Sequence, residues 1–284
     1  MKIKRRKPNR SRAGDIGIYI LLIVFGIFFA YPLVYAINQA FKPLDEIFLF
    51  PPKLFVKNPT LDNFQDLFVI MGKSWVPFSR YIFNTVFITL VGTIGHVFIT
   101  SRGAYVLAKY DFPGSKAFFK IVVTALMFSM QVTAIPNYLI MTKLGWVDTY
   151  LAVVIPAFAM PMGLFLMKQF MDTIPDVLME AAKIDGAKEG KIYWTIVMPM
   201  VKPAWLTVII FAIQNLWNNR ASNFIYSEEL KTLPYALQQI VSGGVARAGV
   251  GAAVSLFMMI VPITAFIISQ SNIIETMASS GIKE

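Results

Sequence analysis

The chain has 284 residues, of which 56% are hydrophobic and only 15% are charged. A soluble globular domain has a similar apolar share but about a quarter charged residues, so this shortage of charge excludes an ordinary soluble protein. The net charge of +10 does not indicate nucleic-acid binding, because Lys and Arg occupy short segments between long apolar runs, and the absence of cysteine excludes disulfides.

Six stretches of the chain contain no Asp, Glu, Lys or Arg. A hydrocarbon core about 30 Å thick requires roughly 20 helical residues, and the stretches have about this length. The spans predicted from them cover approximately residues 16–37, 81–101, 121–142, 149–167, 203–220 and 248–274. Six such runs in one chain predict an all-α membrane protein with six transmembrane helices.

The placement of Lys and Arg predicts the orientation in the membrane. Residues 1–15 form a basic arm with seven Lys and Arg residues, and the segment 168–202 carries five more. With both termini in the cytoplasm, 17 of the 26 Lys and Arg residues fall on the inner side, as the positive-inside rule requires. We therefore expect the tail 275–284 to be cytoplasmic and the arm to lie near anionic lipid headgroups.

No catalytic constellation or set of metal ligands is recognisable in the predicted spans. His96 is the only histidine and has no Asp or Glu near it in the second span. We expect it to pack as a neutral, hydrogen-bonded side chain. An intramembrane enzyme would require paired acids or a nucleophile with its base, and an ion-driven secondary transporter would require intramembrane carboxylates or an inverted repeat. Neither pattern is present.

Polar side chains interrupt the third and fifth predicted spans, where a polar group is costly unless it is hydrogen-bonded. Amides and hydroxyls there could line a path for a polar solute, with an aromatic face to stack on a sugar ring. They could equally join neighbouring helices by hydrogen bonds, and the sequence leaves both interpretations open. The candidate path residues are Gln131, Asn137, Tyr138, Asn215, Trp217, Asn218 and Asn219.

The cytoplasmic segment 168–202 is predicted to form an elbow of two helices. Thr173 can cap the first helix, with Pro175 in its first turn. Gly186 can end that helix, since glycine accepts the left-handed conformation found at helix ends. A second helix is predicted over residues 187–197, closed by Pro199.

One face of the first elbow helix is suited to a protein partner. Val177, Ala181 and Ile184 share this face at helical spacing, and alanine gives it a low profile. Such an apolar surface can seat in a groove on another protein.

The elbow resembles the EAA loop of ATP-binding-cassette importer permeases. The matching residues are Glu180-Ala181-Ala182, Asp185-Gly186-Ala187, Ile196, Pro199 and Pro203. The fuller pattern is similar to the carbohydrate-uptake branch, which includes the smaller permease of the maltose transporter. The resemblance implies the fold of a type I importer permease. It also implies that the elbow docks into the ATPase subunit, with coupling positions Glu180, Ala181, Ala182, Asp185 and Gly186.

The resemblance implies a transport subunit of the bacterial cell membrane rather than an enzyme. Its partners would be a second homologous permease, two ATPase subunits that bind ATP and Mg, and an extracytoplasmic solute-binding protein that the loop 220–247 would meet. The chain itself would hold no cofactor. The implied cargo is a carbohydrate, in particular an oligosaccharide. The alternative is another organic solute, such as a polyol, a phosphodiester or a peptide.

Overall fold

The computed structural model describes residues 12–244 and 247–280, and over this range the chain is helical with no strand. This confirms the all-α expectation for the described residues. Residues 1–11 of the predicted arm and residues 281–284 of the predicted tail lie outside the described residues. Residues 12–15, which were expected to belong to the arm, form the first turn of a helix.

The helices are numbered in chain order. They are α1 (Arg12–Ala40), α2 (Leu44–Ile47), α3 (Asp62–Gly72), α4 (Phe78–Lys109), α5 (Ser115–Ala125), α6 (Met130–Lys143), α7 (Leu151–Phe158), α8 (Pro161–Asp172), α9 (Asp176–Ile184), α10 (Glu189–Ile192), α11 (Met198–Met200), α12 (Lys202–Trp217), α13 (Leu233–Val241) and α14 (Ala248–Ser280). A π-helical turn, Tyr193–Val197, joins α10 to α11, and a short 3₁₀ turn covers Glu228–Leu230.

Within the described range, four helical stretches are long and apolar enough to cross a membrane. A fifth is added if the bent pair Glu189–Met200 and Lys202–Trp217 forms one span. The predicted third run, 121–142, is divided between α5 and α6 by a turn at residues 126–129. The number of six spans and the cytoplasmic position of the termini stay predictions.

The described residues form two compact units, the first within 1–70 and 243–257. In this unit the amide of Asn63 in α3 donates to the carbonyls of Ala40 and Lys42, at 2.9 and 2.7 Å. Gly249 makes room for this amide, since a Cβ at that position would lie 2.0 Å from Asn63 Oδ1. A small residue therefore permits the close approach of the first turn of α14 to α3.

The second unit lies within 71–242 and 258–284 and is built around α4, which packs against α7, α8 and α12. Two glycines make this packing close. A Cβ on Gly92 would lie 2.6 Å from Leu216 Cδ1, and one on Gly95 would lie 2.1 Å from the ring of Phe158. α4 is therefore the element that fixes the positions of its neighbours.

His96 in α4 is buried and joins this helix to the α7–α8 pair. Its Nδ1 lies 3.1 Å from the carbonyl oxygen of Phe158, the last residue of α7, so Nδ1–H is the donor. The hydroxyl of Thr100 lies 3.1 Å from the same nitrogen. The structure thus shows the hydrogen-bonded packing that the sequence predicted for this histidine.

Candidate functional site

The first arm of the elbow is α9, which ends as the glycine pattern predicted. Gly186 has φ +77°, in the left-handed region, and its N–H donates to the carbonyl of Lys183 at 3.0 Å. The N–H of Ala187 donates to the carbonyl of Ala182 at 2.9 Å. These two bonds form a Schellman motif, which satisfies carbonyls that the helix end would otherwise leave unpaired.

Two details of the predicted elbow are wrong. Thr173 does not cap α9, because its hydroxyl donates back to the carbonyl of Phe170 at 2.7 Å and Pro175 occupies the N-cap position. Pro199 does not close the second arm. The helical path continues through a π-helical turn to Met200 and bends by 79° into α12. Pro199 lies in the first turn of α11, a position at which a missing N–H is tolerated.

The expected coupling residues do not all face the same way. Glu180, Ala181, Asp185 and Gly186 are exposed, whereas Ala182 is half-buried and packs on the core beneath the elbow. The apolar face predicted for α9 is also exposed, with Val177 69% and Ile184 86% accessible. This arrangement leaves an apolar ridge, formed by Val177, Ala181 and Ile184, without a partner in the described part of the chain.

Polar contacts fasten the elbow to the end of α4, and we call Tyr105, Lys109, Lys183 and Glu189 the clamp. The hydroxyl of Tyr105 donates to Glu189 Oε2 at 3.0 Å. Lys183 Nζ lies 2.7 Å from Glu189 Oε1, and this carboxylate raises the pKa of Lys183 above its ordinary value. Lys109 Nζ lies 2.8 Å from the carboxylate of Asp176, the first residue of α9. Both arms of the elbow are thus bonded to one helix.

The clamp is not evident from the sequence pattern. Tyr105 and Lys109 lie beyond the charge-free run 81–101, at the four-residue spacing that puts side chains on one face of a helix. Their partners lie more than 60 residues later in the chain. The spacing of Tyr105 and Lys109 was a usable signal for a shared face, but only the fold identifies what this face contacts.

Three of the predicted path residues meet in one hollow. A hollow of about 460 Å³ is lined by Asn137 of α6, by Asn215 of α12 and by Asn219, which follows α12. Phe128 and Phe224 also line it. A smaller hollow of about 310 Å³ shares Asn215, Asn219 and Phe224 and is also lined by Asn218. Amide groups and aromatic edges at a concave surface are suited to a hydroxyl-rich solute.

The other predicted path residues do not join these hollows. Trp217 is only 5% accessible, and its indole N–H donates to the carbonyl of Met258 at 3.0 Å, so its ring is a packing group. Gln131 is exposed in the first turn of α6. Tyr138 is exposed and lines neither hollow.

The segment after α12 is held firmly against the start of α4 by Asn84, which is fully buried. Its amide nitrogen donates to the carbonyls of Glu229 and Lys231, both at 2.8 Å, and its oxygen accepts the hydroxyl of Tyr150 at 2.6 Å. In the sequence, the feature that points to this role of Asn84 is its position as an amide inside the charge-free run 81–101. The portion of segment 220–247 around Glu229 and Lys231, expected as a partner-facing loop, is therefore an ordered part of the second unit.

Asp148 fixes a second point of the same segment. Its Oδ1 accepts the N–H groups of Tyr226 and Ser227 at 2.9 and 2.8 Å, and its Oδ2 accepts the hydroxyl of Ser227. These bonds, led by the one from the Ser227 hydroxyl, hold the pKa of the Asp148 carboxyl below its ordinary value.

Comparison with known proteins identifies the family of this chain. Residues 5–278 match the family described as binding-protein-dependent transport system inner membrane component. The arabinooligosaccharides transport system permease protein AraQ of Halalkalibacterium halodurans is 30% identical, over 89% of this chain and 91% of that protein. The polygalacturonan/rhamnogalacturonan transport system permease protein YtcP of Bacillus subtilis is also 30% identical, over 82% of this chain and 79% of its own length.

One solved structure shares the fold. A chain from a bacterial ABC transporter involved in the import of the acidic polysaccharide alginate superposes with a TM-score of 0.75, covering 93% of this chain and 99% of that one. The two chains are 23% identical, so this match supports the fold alone. Because the family match covers nearly the whole sequence, the chain belongs to the family of inner membrane components of binding-protein-dependent transport systems.

Proposed function

We propose that this chain is a transmembrane permease subunit of an ATP-binding-cassette importer that moves a carbohydrate into the cell. The observation that carries the proposal is the elbow. Its helix α9 has an apolar ridge that is exposed at Val177 and Ile184. Hydrogen bonds and an ion pair join the elbow to α4. An exposed apolar ridge on a rigid support is a surface for a protein partner. In an importer this partner is the ATPase subunit, which supplies the ATP site.

The mechanism proposed is alternating access driven through the elbow. When the ATPase subunits bind ATP and close, they displace the ridge on α9. The clamp passes this displacement to α4, and α4 carries α7, α8 and α12, against which it is closely packed. The chain performs no covalent step, and its own residues position, couple and line the path.

A carbohydrate cargo is supported by two features. The hollows lined by Asn137, Asn215, Asn218 and Asn219 present amides, which pair with hydroxyl groups, beside the aromatic side chains Phe128 and Phe224. The similar AraQ and YtcP proteins are transport permeases for arabinooligosaccharides and for polygalacturonan and rhamnogalacturonan.

The proposed assembly contains a second, related permease, two ATPase subunits and an extracytoplasmic solute-binding protein. The unpartnered ridge supports the ATPase. The segment 220–247, fixed at two points by Asn84 and Asp148, supports a contact with the solute-binding protein, since a preformed surface loses less entropy on binding.

Site-specific cross-linking tests the proposal directly, because the chain has no cysteine of its own. We expect Ala181→Cys to form a cross-link with the ATPase subunit in membranes that contain the assembled importer. The matched control is Lys116→Cys, at the start of α5, which is exposed but not on the ridge. Cross-linking at residue 116 but not at residue 181 would contradict the assignment of the ridge.

A further inference from the structure

Among the described residues that line the two hollows, Arg220 is the one cation, and the proposed function does not yet use it. The smaller hollow, of about 310 Å³, is lined by Arg220 beside Asn215, Asn218, Asn219 and Asn223. It adjoins the larger hollow through Asn215 and Asn219, which line both. A guanidinium group therefore stands at the edge of a concave surface whose other polar groups are mainly amides.

Among the described residues, Arg220 differs from Lys231 and Arg80 in having no ion-pair or hydrogen-bond partner for its side chain. Within the described part of the chain its guanidinium makes no ion pair and no hydrogen bond. By contrast, Lys231 lies 2.5 Å from the carboxylate of Glu228, and Arg80 Nε donates to the carbonyl of Glu229 at 3.1 Å. The Glu228 carboxylate is thus paired with Lys231 and not with Arg220.

The backbone that carries Arg220 is fixed in place. The hydroxyl of Thr232 lies 3.0 Å from the carbonyl oxygen of Asn219 and 3.2 Å from that of Arg220. The side-chain oxygen of Asn219 accepts the N–H of Ala221 at 2.8 Å.

Ala221 itself is buried and has φ +52°, a conformation that non-glycine residues seldom adopt. A backbone held in such a conformation is determined by its surroundings, and strained positions of this kind cluster at functional sites.

We propose that Arg220 binds an anionic group on the cargo, in the first place the carboxylate of a uronic-acid residue. This inference rests on the proposed carbohydrate import. Guanidinium and carboxylate form paired, charge-assisted hydrogen bonds, whereas the amides of Asn215, Asn218 and Asn219 are suited to the sugar hydroxyls. A sugar phosphate also presents anionic oxygens to a guanidinium, so it is the second cargo that Arg220 could bind in the same way.

The test measures uptake by the complete importer, reconstituted with its partner subunits and binding protein in proteoliposomes. The probes are trigalacturonate, a neutral trisaccharide and a sugar phosphate, each radiolabelled. The measured quantity is the ratio of anionic to neutral uptake. It is compared among the wild type, Arg220→Gln, Arg220→Lys and the control Lys143→Gln, which removes an equal charge from an exposed position outside both hollows.

We expect Arg220→Gln to lower this ratio at least about tenfold, because the charge-assisted pair is lost. Arg220→Lys keeps the charge without the two-pronged geometry and should give an intermediate ratio, while Lys143→Gln should match the wild type. A preference for the sugar phosphate over trigalacturonate that depends on Arg220 would support the anion site with this second cargo.

Two results would overturn the inference while leaving carbohydrate import intact. The first is uptake of the neutral trisaccharide alone by the wild type. The second is an anionic preference that Arg220→Gln does not change. Uptake of none of the probes would instead overturn the carbohydrate proposal, and the inference with it.

Discussion

The hydroxyl of Tyr105, near the end of α4, donates a 3.0 Å hydrogen bond to Glu189, the first residue of the second elbow arm. The two residues are 84 positions apart in the sequence, and Glu189 also holds Lys183 on the first arm. Because this carboxylate touches both arms and α4, the elbow cannot turn on α4 without breaking a polar contact.

The clamp leads to a prediction about coupling. Tyr105→Phe keeps the ring, whose centroid lies 5.4 Å from that of Tyr193, and removes the hydroxyl that donates to Glu189. We expect the assembled importer to hydrolyse ATP but to move roughly fivefold less solute per ATP, the scale of a coupling free energy of about 1 kcal/mol. Lys109→Met should act in the same direction, because it breaks the contact with Asp176.

Uptake and ATP hydrolysis measured in the same proteoliposomes give this ratio. Lys168→Met is the control, since it removes an ion pair to Asp172 that lies within α8 alone. Equal losses of uptake and hydrolysis in Tyr105→Phe would point to a merely structural role for the hydroxyl.

Gly186 gives a prediction about backbone conformation. Nothing lies within 4 Å of a Cβ placed there, so a substitution meets strain and no clash. We expect Gly186→Val to destabilise the end of α9 by about 1–2 kcal/mol and to weaken recovery of the ATPase subunits on co-purification, while membrane insertion stays normal.

Gly190 is a matched control for Gly186 in the same elbow. It also has open space where a Cβ would stand, but its backbone is not left-handed. Gly190→Val should therefore retain the ATPase subunits. Normal ATPase recovery in Gly186→Val would count against the requirement for a left-handed residue at the elbow.

The contact between His96 and Gly163 predicts a non-additive pair of substitutions. A Cβ on Gly163 would lie 2.3 Å from His96 Nε2, so Gly163→Ala must displace the histidine and its hydrogen bond to Phe158. We expect a loss of about 1–3 kcal/mol in stability, measured by unfolding in detergent.

Adding His96→Ser to Gly163→Ala should recover part of this loss, because the smaller side chain makes room for the new methyl group. Gly103→Ala is the control, since its nearest contact is the flexible end of Leu164 at 3.2 Å. Strictly additive effects of the two changes would mean that the residues do not compete for this space.

Asp148 predicts how acid affects the segment around Tyr226 and Ser227. A carboxyl whose pKa is lowered by folding contributes stability above its unfolded pKa of about 3.9, and this contribution is lost as the pH falls through the folded value. Hydrogen exchange of the Tyr226 and Ser227 amides should therefore be protected at pH 6, and the protection, corrected for intrinsic exchange, should fall below about pH 4.

Asp148→Asn provides the comparison for this pH dependence. Asparagine tolerates the left-handed backbone of position 148, where φ is +61°, and keeps one accepting oxygen. We expect its protection to be weaker and nearly constant over the same pH range. An equal acid response in Asp148→Asn would assign the effect to another carboxyl group.

Much of the architecture can be predicted from the sequence, and the failures have physical causes. The absence of charge identifies segments that can be buried in lipid, but it carries little information on backbone continuity. The run 121–142 therefore looked like one helix although it turns at residues 126–129. The glycine end of α9 was predictable because the left-handed conformation strongly favours one residue type.

The geometry of the candidate site could be predicted where it is local and not where it depends on distant contacts. The exposed ridge follows from spacing within one helix, and the amides of Asn215 and Asn219 from their cost in a membrane. Trp217 was a candidate either to face a solute or to join neighbouring helices by a hydrogen bond, and its indole N–H donates to the carbonyl of Met258. Only the fold determines which of several polar groups in a helix faces a hollow.

Asn84 and Tyr105 belong to the same uninterrupted helix, one bonded to the segment 220–247 and the other to the elbow. At 1.5 Å per residue they are about 32 Å apart, close to the thickness of a hydrocarbon core. In the proposed importer, α4 would therefore connect the segment expected to meet the solute-binding protein with the elbow expected to meet the ATPase subunit, and no residue of α4 lines either hollow. Regulation and permeation would then be separable by mutation.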